Sequence, residues 1–480
     1  MSTSTLTNPI LNLPDERCVE ALGEAYYEAV PAATFPEHHL RFRNDRLLAE
    51  TFGLDPQQIQ DDHYLEAFGK FQGQEPFLAL GYHGYQFGTY NPQLGDGRGF
   101  LLAQVRGQDG CLYDFGTKGS GRTPFSRTAD GRLTLKGGVR EMIASEALHY
   151  AGVHTSRTVS VIETGESLWR GDEPSPTRSC VLVRQSRSHI RFGTFERLLV
   201  MDRPDLMERL LNHVIAEYYP DLRAIASVQD RYLGFYQALV ERTAQLVAQW
   251  MSVGFCHAVL NTDNMSITGE SFDYGPFAFI PAFDPGFTAA YFDHDGRYSY
   301  GNQPGICHWN LEMLQRPLAR IMPREEMAQI LKGYGEAYYR AYRQRMRQKL
   351  GLDPHLEGSA EALMGQTLQL LESTQMDYHQ FFATLRQEFS PLWRTDAGHI
   401  LSETRWLASA GPQGDRWRDL YHQVLNELPD FAMDDVAQRL TQHNPLIVPT
   451  RPMIEAVWDP IAREDNWQPL YDLLQKIRSH

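Results

Sequence analysis

One stretch of the sequence, residues 256–275, concentrates side chains that could carry out chemistry. His257 is followed seven residues later by Asn264, and Asp273 then begins an Asp-Tyr-Gly triplet. Amide and carboxylate oxygens, such as those of Asn264 and Asp273, are hard donors that Mg²⁺ prefers beside nucleotide phosphates. Asp263 adds a second carboxylate directly before Asn264. The stretch therefore predicts a site for a metal-bound nucleotide.

The same spacing is typical of a protein-kinase catalytic loop, H-R-D-x-x-x-x-N, followed by the metal-binding D-F-G triplet. One position departs from that pattern. Where a kinase carries the aspartate that accepts a proton, this chain has Val259, whose side chain cannot act as a base. The metal ligands are thus retained, and the base is expected elsewhere. A simple polar turn is the alternative interpretation of N-T-D-N, because Asn and Asp favour turns.

A glycine-rich segment forms a second candidate site. Gly95, Asp96, Gly97 and Arg98 follow one another just before an apolar run. Glycine lets the backbone approach a phosphate closely, and an arginine can donate two hydrogen bonds to it. The segment is not a Walker loop, since no G-K-[ST] follows it suitably. A hairpin turn is the alternative interpretation.

Positive charge is concentrated between residues 118 and 140, although the whole chain has a formal net charge of -15. This region has one acid, Asp130, against six basic residues: Lys118, Arg122, Arg127, Arg132, Lys136 and Arg140. Such a local inversion of charge predicts an anion site, for instance for a triphosphate. A solvated basic loop is the alternative.

Further charged residues could complete this anion site. Lys118 on a strand and Glu141 in the first turn of the next helix would repeat the Lys–Glu ion pair of kinases. A glutamate that merely stabilises a helix start is the alternative for Glu141. Arg184, Arg187 and Arg191 precede another helix and could clamp phosphates.

The elements that must position these residues divide the chain in two. Strands are predicted at 100–105, 111–115, 158–163 and 179–184. Helices are predicted at 15–29, 44–52, 139–152, 195–219, 230–253, 325–350, 360–374, 433–443 and 453–477. A hairpin flanked by 265–267 and Phe272 would support the metal ligands. We therefore predict an N-terminal extension at 1–75, a β-rich lobe with nucleotide-binding loops at 76–193 and a helical lobe at 194–480.

The composition limits the class of protein. A chain of 480 residues with 42% hydrophobic content can form two or three domains. Its acidic net charge argues against general nucleic-acid binding. Five cysteines without a C-x-x-C pair indicate reduced thiols. Neither a signal peptide nor an apolar run long enough to span a bilayer is recognisable, so a cytoplasmic protein without membrane contact is expected.

Taken together, these motifs closely resemble the selenoprotein O family of protein adenylyltransferases, kinase-like proteins formerly described as pseudokinases. The resemblance is densest between residues 82 and 314. It rests on the segments at 85–88 (Y-Q-F-G), 93–98 (Q-L-G-D-G-R), 118–124 (K-G-S-G-R-T-P), 188–196 (S-H-I-R-F-G-T-F-E), 261–265 (N-T-D-N-M), 273–277 (D-Y-G-P-F) and 301–304 (G-N-Q-P).

The resemblance implies an α+β, protein-kinase-like bilobal fold with a β-rich N-lobe and a larger helical C-lobe that carries family-specific extensions. It also implies transfer of AMP from ATP to Ser, Thr or Tyr hydroxyls of proteins, including the enzyme itself, with release of pyrophosphate. ATP would be bound in reverse relative to kinases, with Mg²⁺ or alternatively Mn²⁺. Transfer of the γ-phosphate and a catalytically silent nucleotide-binding scaffold are the competing hypotheses.

The family's functional residues map onto this sequence by motif. Asp263 corresponds to the catalytic proton acceptor, and Asn264 and Asp273 to the metal ligands. Glu141 and Asp273 are further expected to border the nucleotide. The positions that match the family's ATP contacts are Gly95, Gly97, Arg98, Lys118, Asp130, Gly131, Arg184 and Arg191. The chain departs from the family in lacking a cysteine near its C-terminus and in its Y-H-G-Y run at 82–85.

Overall fold

The first half of the chain forms one large antiparallel sheet. A computed structural model describes residues 8–171 and 173–479. Its first nine strands are β1 (Tyr27–Val30), β2 (His39–Arg43), β3 (Phe77–Gln86), β4 (Thr89–Gly95), β5 (Leu101–Arg106), β6 (Leu112–Lys118), β7 (Leu133–Thr134), β8 (Arg157–Leu168) and β9 (Thr177–Ser186). They follow the order β1-β3-β5-β6-β9-β8-β2, with β4 paired to β3 and β7 to β9. The four strands predicted from the sequence are present as β5, β6, β8 and β9.

Helices dominate the second half of the chain. The helices are α1 (Asp45–Phe52), α2 (Asp61–Tyr64), α3 (Leu135–Tyr150), α4 (Phe192–Val200), α5 (Pro204–Tyr218), α6 (Val228–Ser252), α7 (Gln303–Leu318), α8 (Arg324–Leu331), α9 (Tyr334–Lys349), α10 (Ser359–Thr374), α11 (Tyr378–Glu388), α12 (Arg405–Ser409), α13 (Pro412–Glu427), α14 (Met433–His443), α15 (Arg451–Glu464) and α16 (Gln468–Arg478). A small pair, β10 (Phe255–Cys256) and β11 (Ala278–Phe279), lies among them. The protein is thus a mixed α/β structure with a sheet lobe and a helical lobe.

The predicted helix at 15–29 is wrong. This segment contains an isolated bridge from Asp15 to Val105, a 3-10 turn at Glu20–Leu22 and then β1. Tyr27–Val30 pairs with β3 in the register Tyr27 to Leu80, so cross-strand hydrogen bonds outweigh the local helical preference. β2 likewise pairs with β8. Strands from the predicted extension therefore belong to the main sheet, and the predicted domain boundaries stay a prediction.

Helix α3 carries Glu141 and packs against the sheet. The Thr134 hydroxyl caps it by accepting a hydrogen bond from the Gly137 amide, so the helix begins four residues earlier than predicted. Glu141 consequently lies in the second turn and not in the first. The helix and the inner strands β8 and β9 share one apolar core, which includes Val139, Val161 and Leu182. This packing fixes the position of Glu141 relative to the sheet.

Three long helical predictions each comprise two helices. The 195–219 segment breaks before Pro204, which has no backbone N–H and therefore occupies the first turn of α5. The 325–350 segment breaks at Lys332 and Gly333, and the 453–477 segment breaks at Asp465, whose φ is 50°. The predictions at 44–52, 230–253, 360–374 and 433–443 are confirmed by α1, α6, α10 and α14.

The last helices return to the sheet lobe. Arg478 on α16 donates to the fully buried carboxylate of Glu146 on α3 at 3.0 Å, and Arg157 pairs with the same carboxylate at 2.8 Å. Asp465, just after α15, pairs with Arg178 on β9 at 2.7 Å. Two distant parts of the chain therefore brace α3.

Among the helices at residues 8–171 and 173–479, none combines the length and apolar character needed to cross a membrane.

Candidate nucleotide-binding site

A cleft of about 320 Å³ lies between the sheet lobe and the loop at 256–275. Most of the predicted site residues meet there, although they are spread over almost 180 positions of sequence. The predicted residues in its lining are Gly95, Gly97, Arg98, Lys118, Arg184, Arg191, Asp263 and Asp273. The glycine-rich end of β4, the end of β6, β9 and the 256–275 loop therefore form one site.

An ion-pair network occupies the floor of this cleft. Lys118 Nζ lies 2.5 Å from Glu141 Oε2 and 2.7 Å from Asp273 Oδ1. Arg184 Nη1 lies 3.0 Å from Glu141 Oε1 and 3.3 Å from Asp273 Oδ1. The predicted Lys118–Glu141 pair is present. Both carboxylates are shared between two cations, which fixes the lysine and the arginine in place.

Asp273 is ionised in this network. Burial alone would raise the pKa of its carboxyl, but Lys118, Arg184 and Arg191 outweigh burial and hold the pKa well below its usual range. Its φ is 65°, in the left-handed region that an aspartate adopts only when its surroundings require it. Oδ1 accepts from Lys118 and Arg184, whereas Oδ2 pairs, within the described part of the chain, only with Arg191, at 3.8 Å. Oδ2 is therefore the atom left to bind a cation.

Asp263 lies in the same cleft on a 3-10 turn, Thr262–Asn264. Burial raises the pKa of its carboxyl to about 6, against the opposing effect of Arg191. Its Oδ2 has the Gln86 amide at 3.4 Å, while Oδ1 is buried and has no hydrogen-bond partner among the described residues. A β-carbon at Gly84 would lie 2.6 Å from Oδ1, so only glycine permits this approach of β3. A carboxylate with a pKa near neutrality suits a general base.

Asn264 and His257 have different surroundings. The Asn264 amide nitrogen donates to the Val259 carbonyl at 2.9 Å, which leaves its carbonyl oxygen as the free end of the side chain. Asn264 itself does not line the cleft. His257 Nε2 lies 2.9 Å from the Phe272 carbonyl, and its ring packs against Trp250. His257 therefore supports the loop that bears Asp273.

The predicted hairpin at 265–272 does not form as a ladder. Ser266 instead forms a bridge to Arg191, and Ser271 forms one to Thr155. Both ends of the segment are thus bonded to residues outside it, because the neighbouring backbone offers partners that the two short flanks do not offer each other. The support for the metal ligands comes from these bridges.

Oxygen atoms left free in the cleft, together with that of Asn264 beside it in sequence, are of the kind that a divalent cation binds. Asp273 Oδ2 and the Asn264 amide oxygen are hard donors, and the orphaned Oδ1 of Asp263 is a third oxygen nearby in sequence. Among the described residues, no group of three or more His, Cys, Asp or Glu side chains is arranged to hold a metal ion. Phosphate oxygens would therefore have to supply further ligands.

The basic cluster at 118–140 does not act as one surface. Only Lys118 and Arg127 of its six members line the cleft. The other four bond elsewhere: Arg122 to the Ala129 carbonyl, Arg132 to Glu166, Lys136 to Glu455 and Arg140 to the Phe277 carbonyl. The interpretation of the whole cluster as a phosphate site is therefore wrong. Arg187 is also outside the cleft lining, and its guanidinium lies 5.1 Å from the Tyr113 ring.

Asp130 and Gly131 lie just behind the cleft. The Asp130 carboxylate pairs with Arg170 at 2.8 Å, and neither residue is in the cleft lining. A β-carbon at Gly131, whose φ is 72°, would lie 2.3 Å from the Gly121 backbone. The Gly131 carbonyl accepts a hydrogen bond from the Gly121 amide at 3.2 Å and so closes the base of the loop that presents Arg127. Their direct contact with a nucleotide stays a prediction.

Several residues of the site were not identified from the sequence. Tyr82, Gln86 and Phe125 line the cleft, whereas Arg127 in the same lining belongs to the basic cluster predicted at 118–140. Glu196 is buried behind Asp263, and burial raises the pKa of its carboxyl to about 8. The Thr262 hydroxyl donates to Glu196 at 2.9 Å and accepts from the Tyr85 amide at 2.8 Å. Glu196 ends the quoted 188–196 segment, so its position in that motif was the available signal.

Comparisons with known proteins found a matching family model and several similar proteins. A family model described as "Protein adenylyltransferase SelO" matches residues 9–478. A protein of Synechocystis sp. named "Protein nucleotidyltransferase YdiU" is 56% identical over 99% of this chain and 100% of its own. One of the same name from Trichodesmium erythraeum is 56% identical over 98% and 100%. Another, from Pseudomonas putida strain W619, is 40% identical over 84% of each chain.

Proposed function

Because this chain belongs to the SelO family of protein adenylyltransferases, we propose that it transfers AMP from ATP to Ser, Thr or Tyr hydroxyls of proteins and releases pyrophosphate. The observation that carries the chemistry is the position of Asp263. Its carboxylate lines the cleft that also contains Lys118 and Asp273, whereas Val259 lies outside that lining. If Asp263 takes the role of the kinase aspartate, this explains both why Asp263 lines the cleft and why Val259, at the usual position of the base, does not.

The arrangement of the two lobes supports a kinase-like fold. A sheet strand supplies Lys118, the helix that packs on the sheet supplies Glu141, and the loop after α6 supplies Asp273. This is the set of contacts that holds ATP phosphates in kinases. The shared ion pairs pre-organise the cations, so they need not reorganise when negative charge develops on the phosphates.

In the proposed reaction Asp263 accepts the proton of the acceptor hydroxyl. The hydroxyl oxygen forms a bond to the α-phosphorus, the bond from that phosphorus to the oxygen bridging to the β-phosphate breaks, and pyrophosphate leaves. Lys118, Arg184 and Arg191 neutralise the phosphates from the floor of the cleft, while Arg98 and Arg127 do so from its loops. ATP is therefore bound with its α-phosphate towards Asp263, the reverse of the kinase orientation.

A divalent cation belongs to this proposal. Asn264 and Asp273 would hold Mg²⁺, or alternatively Mn²⁺, through the oxygen atoms that their other hydrogen bonds leave free. The cation would supply positive charge that offsets the negative charge of the phosphates. Asp273 orients the site even before a metal binds, since Lys118 and Arg184 already hold its other oxygen.

Labelled ATP distinguishes the proposed reaction from the competing ones. We expect label from α-³²P ATP, but not from γ-³²P ATP, to enter the enzyme itself and added protein substrates. Intact-mass spectrometry should then show the mass of an adenylyl group. Label entering only from the γ position would identify a phosphotransferase. ATP binding without any transfer would identify a silent scaffold.

Arg127 and Arg132 offer a matched pair for testing the phosphate contacts. Arg127→Gln removes a cation from the cleft, so the KM for ATP should rise about tenfold. Arg132→Gln removes an equal charge from the same cluster, but one that pairs with Glu166, and it should leave this KM unchanged. Steady-state kinetics with varied ATP would measure both. Equal effects in the two variants would contradict the distinction that the cleft makes between them.

A further inference from the structure

Three exposed aromatic side chains lie next to one another outside the lining of the nucleotide cleft: Phe87, Tyr291 and Phe292. The ring centroids of Phe87 and Phe292 are 5.9 Å apart, and those of Phe292 and Tyr291 are 5.1 Å apart. Phe87 is 42% exposed, Phe292 40% and Tyr291 77%. We call these three residues the aromatic patch. Single exposed apolar residues are ordinary, whereas a contiguous group of them is typical of a site that binds another protein.

Local folding does not account for a phenylalanine at position 87. Phe87 and Gly88 form the two-residue turn between β3 and β4, and their φ values are 49° and 79°. Such a turn favours the sequence Asn-Gly, because both positions need a positive φ, which a bulky side chain adopts only with strain. Strained residues cluster at functional sites, where the surrounding structure holds them in place. The phenylalanine is therefore expected to have a role outside the turn itself.

The surrounding structure holds Phe87 firmly. Its amide donates to the Tyr298 hydroxyl at 3.0 Å and to Asn261 Oδ1 at 3.3 Å, and the Tyr298 hydroxyl donates to the same Asn261 oxygen at 2.5 Å. The Phe87 ring packs edge-on against the buried ring of Tyr298, with centroids 4.9 Å apart. The aromatic patch thus has a fixed base, and a preorganised surface loses little conformational freedom when it binds a partner.

The end of β3 joins the aromatic patch to the turn that bears Asp263. Gln86, the residue before Phe87, lines the cleft, and its Nε2 lies 3.4 Å from Asp263 Oδ2. Asn261, which accepts from the Phe87 amide, lies two residues before Asp263. A protein that presents a hydroxyl to Asp263 therefore brings the residues next to that hydroxyl close to the aromatic patch.

We propose that the aromatic patch binds the part of the protein substrate that carries the accepting hydroxyl, through an aromatic or branched aliphatic side chain close to that hydroxyl in sequence. Rings arranged edge to face offer such a side chain a rigid apolar surface, and its burial releases water from both partners. This inference rests on the proposed transfer of AMP to proteins, and it adds a preference for the sequence around the acceptor.

A set of short peptides tests the proposal. Each peptide has one central Ser, Thr or Tyr, and each flanking position in turn carries Phe, Leu, Asp or Lys in place of Ala. With α-³²P ATP, the wild-type enzyme should modify peptides that carry Phe or Leu at one particular position with a kcat/KM about tenfold higher than that for the Ala peptide. The difference should lie in the KM for the peptide, because the contact only adds binding energy.

Phe87→Asn removes one ring of the aromatic patch and gives the turn its preferred Asn-Gly sequence, so the variant should fold with a Tm close to that of the wild type. It should lose the preference for Phe and Leu, while the rate with the Ala peptide and the KM for ATP stay unchanged. Tyr291→Ser, at the most exposed ring of the patch, should weaken the same preference. Phe431→Asn changes a phenylalanine that is 81% exposed outside the patch, and it should behave as the wild type.

A wild-type enzyme without any flanking preference, or a preference that persists in both Phe87→Asn and Tyr291→Ser, would overturn the inference. A rate that falls equally for all peptides in Phe87→Asn would show that the substitution disturbs Asp263, and it would also overturn the docking role. Transfer to the enzyme itself but to no peptide would overturn the docking role and leave the proposed function intact. Absence of any transfer from α-³²P ATP would contradict the proposed function itself.

A second copy of the chain is the competing occupant of the aromatic patch. Sedimentation velocity of the wild type and of Phe87→Asn distinguishes it from a substrate. We expect the same oligomeric state for both proteins. A dimer that Phe87→Asn converts into monomers would assign the patch to self-association and overturn the proposal.

Discussion

Asp263→Asn is expected to reduce the rate of AMP transfer by about 10²–10⁴-fold, the usual contribution of a general base. Asparagine has the same shape, and Arg191 bonds to the backbone carbonyl of residue 263 at 2.8 Å, so the turn should be preserved. ATP should bind with unchanged affinity. Calorimetric titration of ATP together with single-turnover transfer would separate binding from chemistry.

The pH profile provides the control for this assignment. Below about pH 6 the Asp263 carboxyl is protonated and cannot accept a proton, so the wild-type rate should rise with pH through that value and then level off. The residual rate of Asp263→Asn should lack this rise. Asp205→Asn alters an exposed acid that pairs with Arg203, and its profile should equal that of the wild type. An unchanged acidic limb in Asp263→Asn would remove Asp263 from the mechanism.

The same substitution should make the protein more stable. The pKa of Asp263 in the folded protein, about 6, lies above its ordinary value of 3.8, so the stability of the fold falls as the pH rises from 3.8 through about 6 and stays reduced above it. Asparagine carries no charge to desolvate, and a gain of about 1–3 kcal/mol in the free energy of unfolding is expected at neutral pH. Urea unfolding measures it. Active sites commonly retain groups that cost stability.

Asp273→Asn is expected to abolish both turnover and the dependence of ATP affinity on the metal. The substitution removes the charge that Lys118 and Arg184 surround, and it removes the free oxygen assigned to the cation. ATP binding in EDTA should persist, because the phosphates can take the place of the lost carboxylate. Titrating ATP with and without Mg²⁺ checks this. A metal-dependent affinity equal to that of the wild type would exclude Asp273 as a ligand.

The stability of Asp273→Asn changes in the opposite direction from that of Asp263→Asn. The pKa of Asp273 is depressed in the folded protein, so its charge stabilises the fold above the unfolded pKa and this contribution is lost as the pH falls. Removing one partner from such a buried network costs about 3–5 kcal/mol. Opposite shifts in urea unfolding from two neighbouring aspartates would support the electrostatic description of the cleft. Two shifts of equal sign would contradict it.

The convergence of Lys118 and Asp273 was predictable because each belongs to a motif whose spacing carries its role, and Arg184 was predicted as one of the arginines ahead of a helix. The contacts of the other basic residues in this region were not predictable. Arg132 and Lys136 are as basic as Arg127, but they meet Glu166 and Glu455 once the chain is folded. Composition shows that a charge is present. Which carboxylate a basic residue pairs with depends on how the loop folds.

Local sequence patterns likewise predicted the secondary structure only in part. Helices that depend on their own periodicity and caps, such as the one that starts after Asn44, were predicted well. The segment at 15–29 has a helical pattern, but Tyr27–Val30 gains more by completing the sheet. Pro204 was a visible signal for a break, since a proline starts helices more readily than it continues them. The break at Asp465 had a similar signal in Pro469, which lies in the first turn of α16.

The brace between Arg478 and Glu146 has a consequence for the order of events during synthesis. Helix α16 emerges from the ribosome more than 300 residues after α3. Among the described residues, the buried Glu146 carboxylate pairs with the cations Arg157 and Arg478, so Arg157 alone is paired with it until α16 has been synthesised. Nascent chains that do not yet include α16 should thus hold Glu141 less firmly beside Lys118. AMP transfer should therefore be weaker in ribosome-bound chains that do not yet include α16 than in the released protein, because domains fold as units during synthesis.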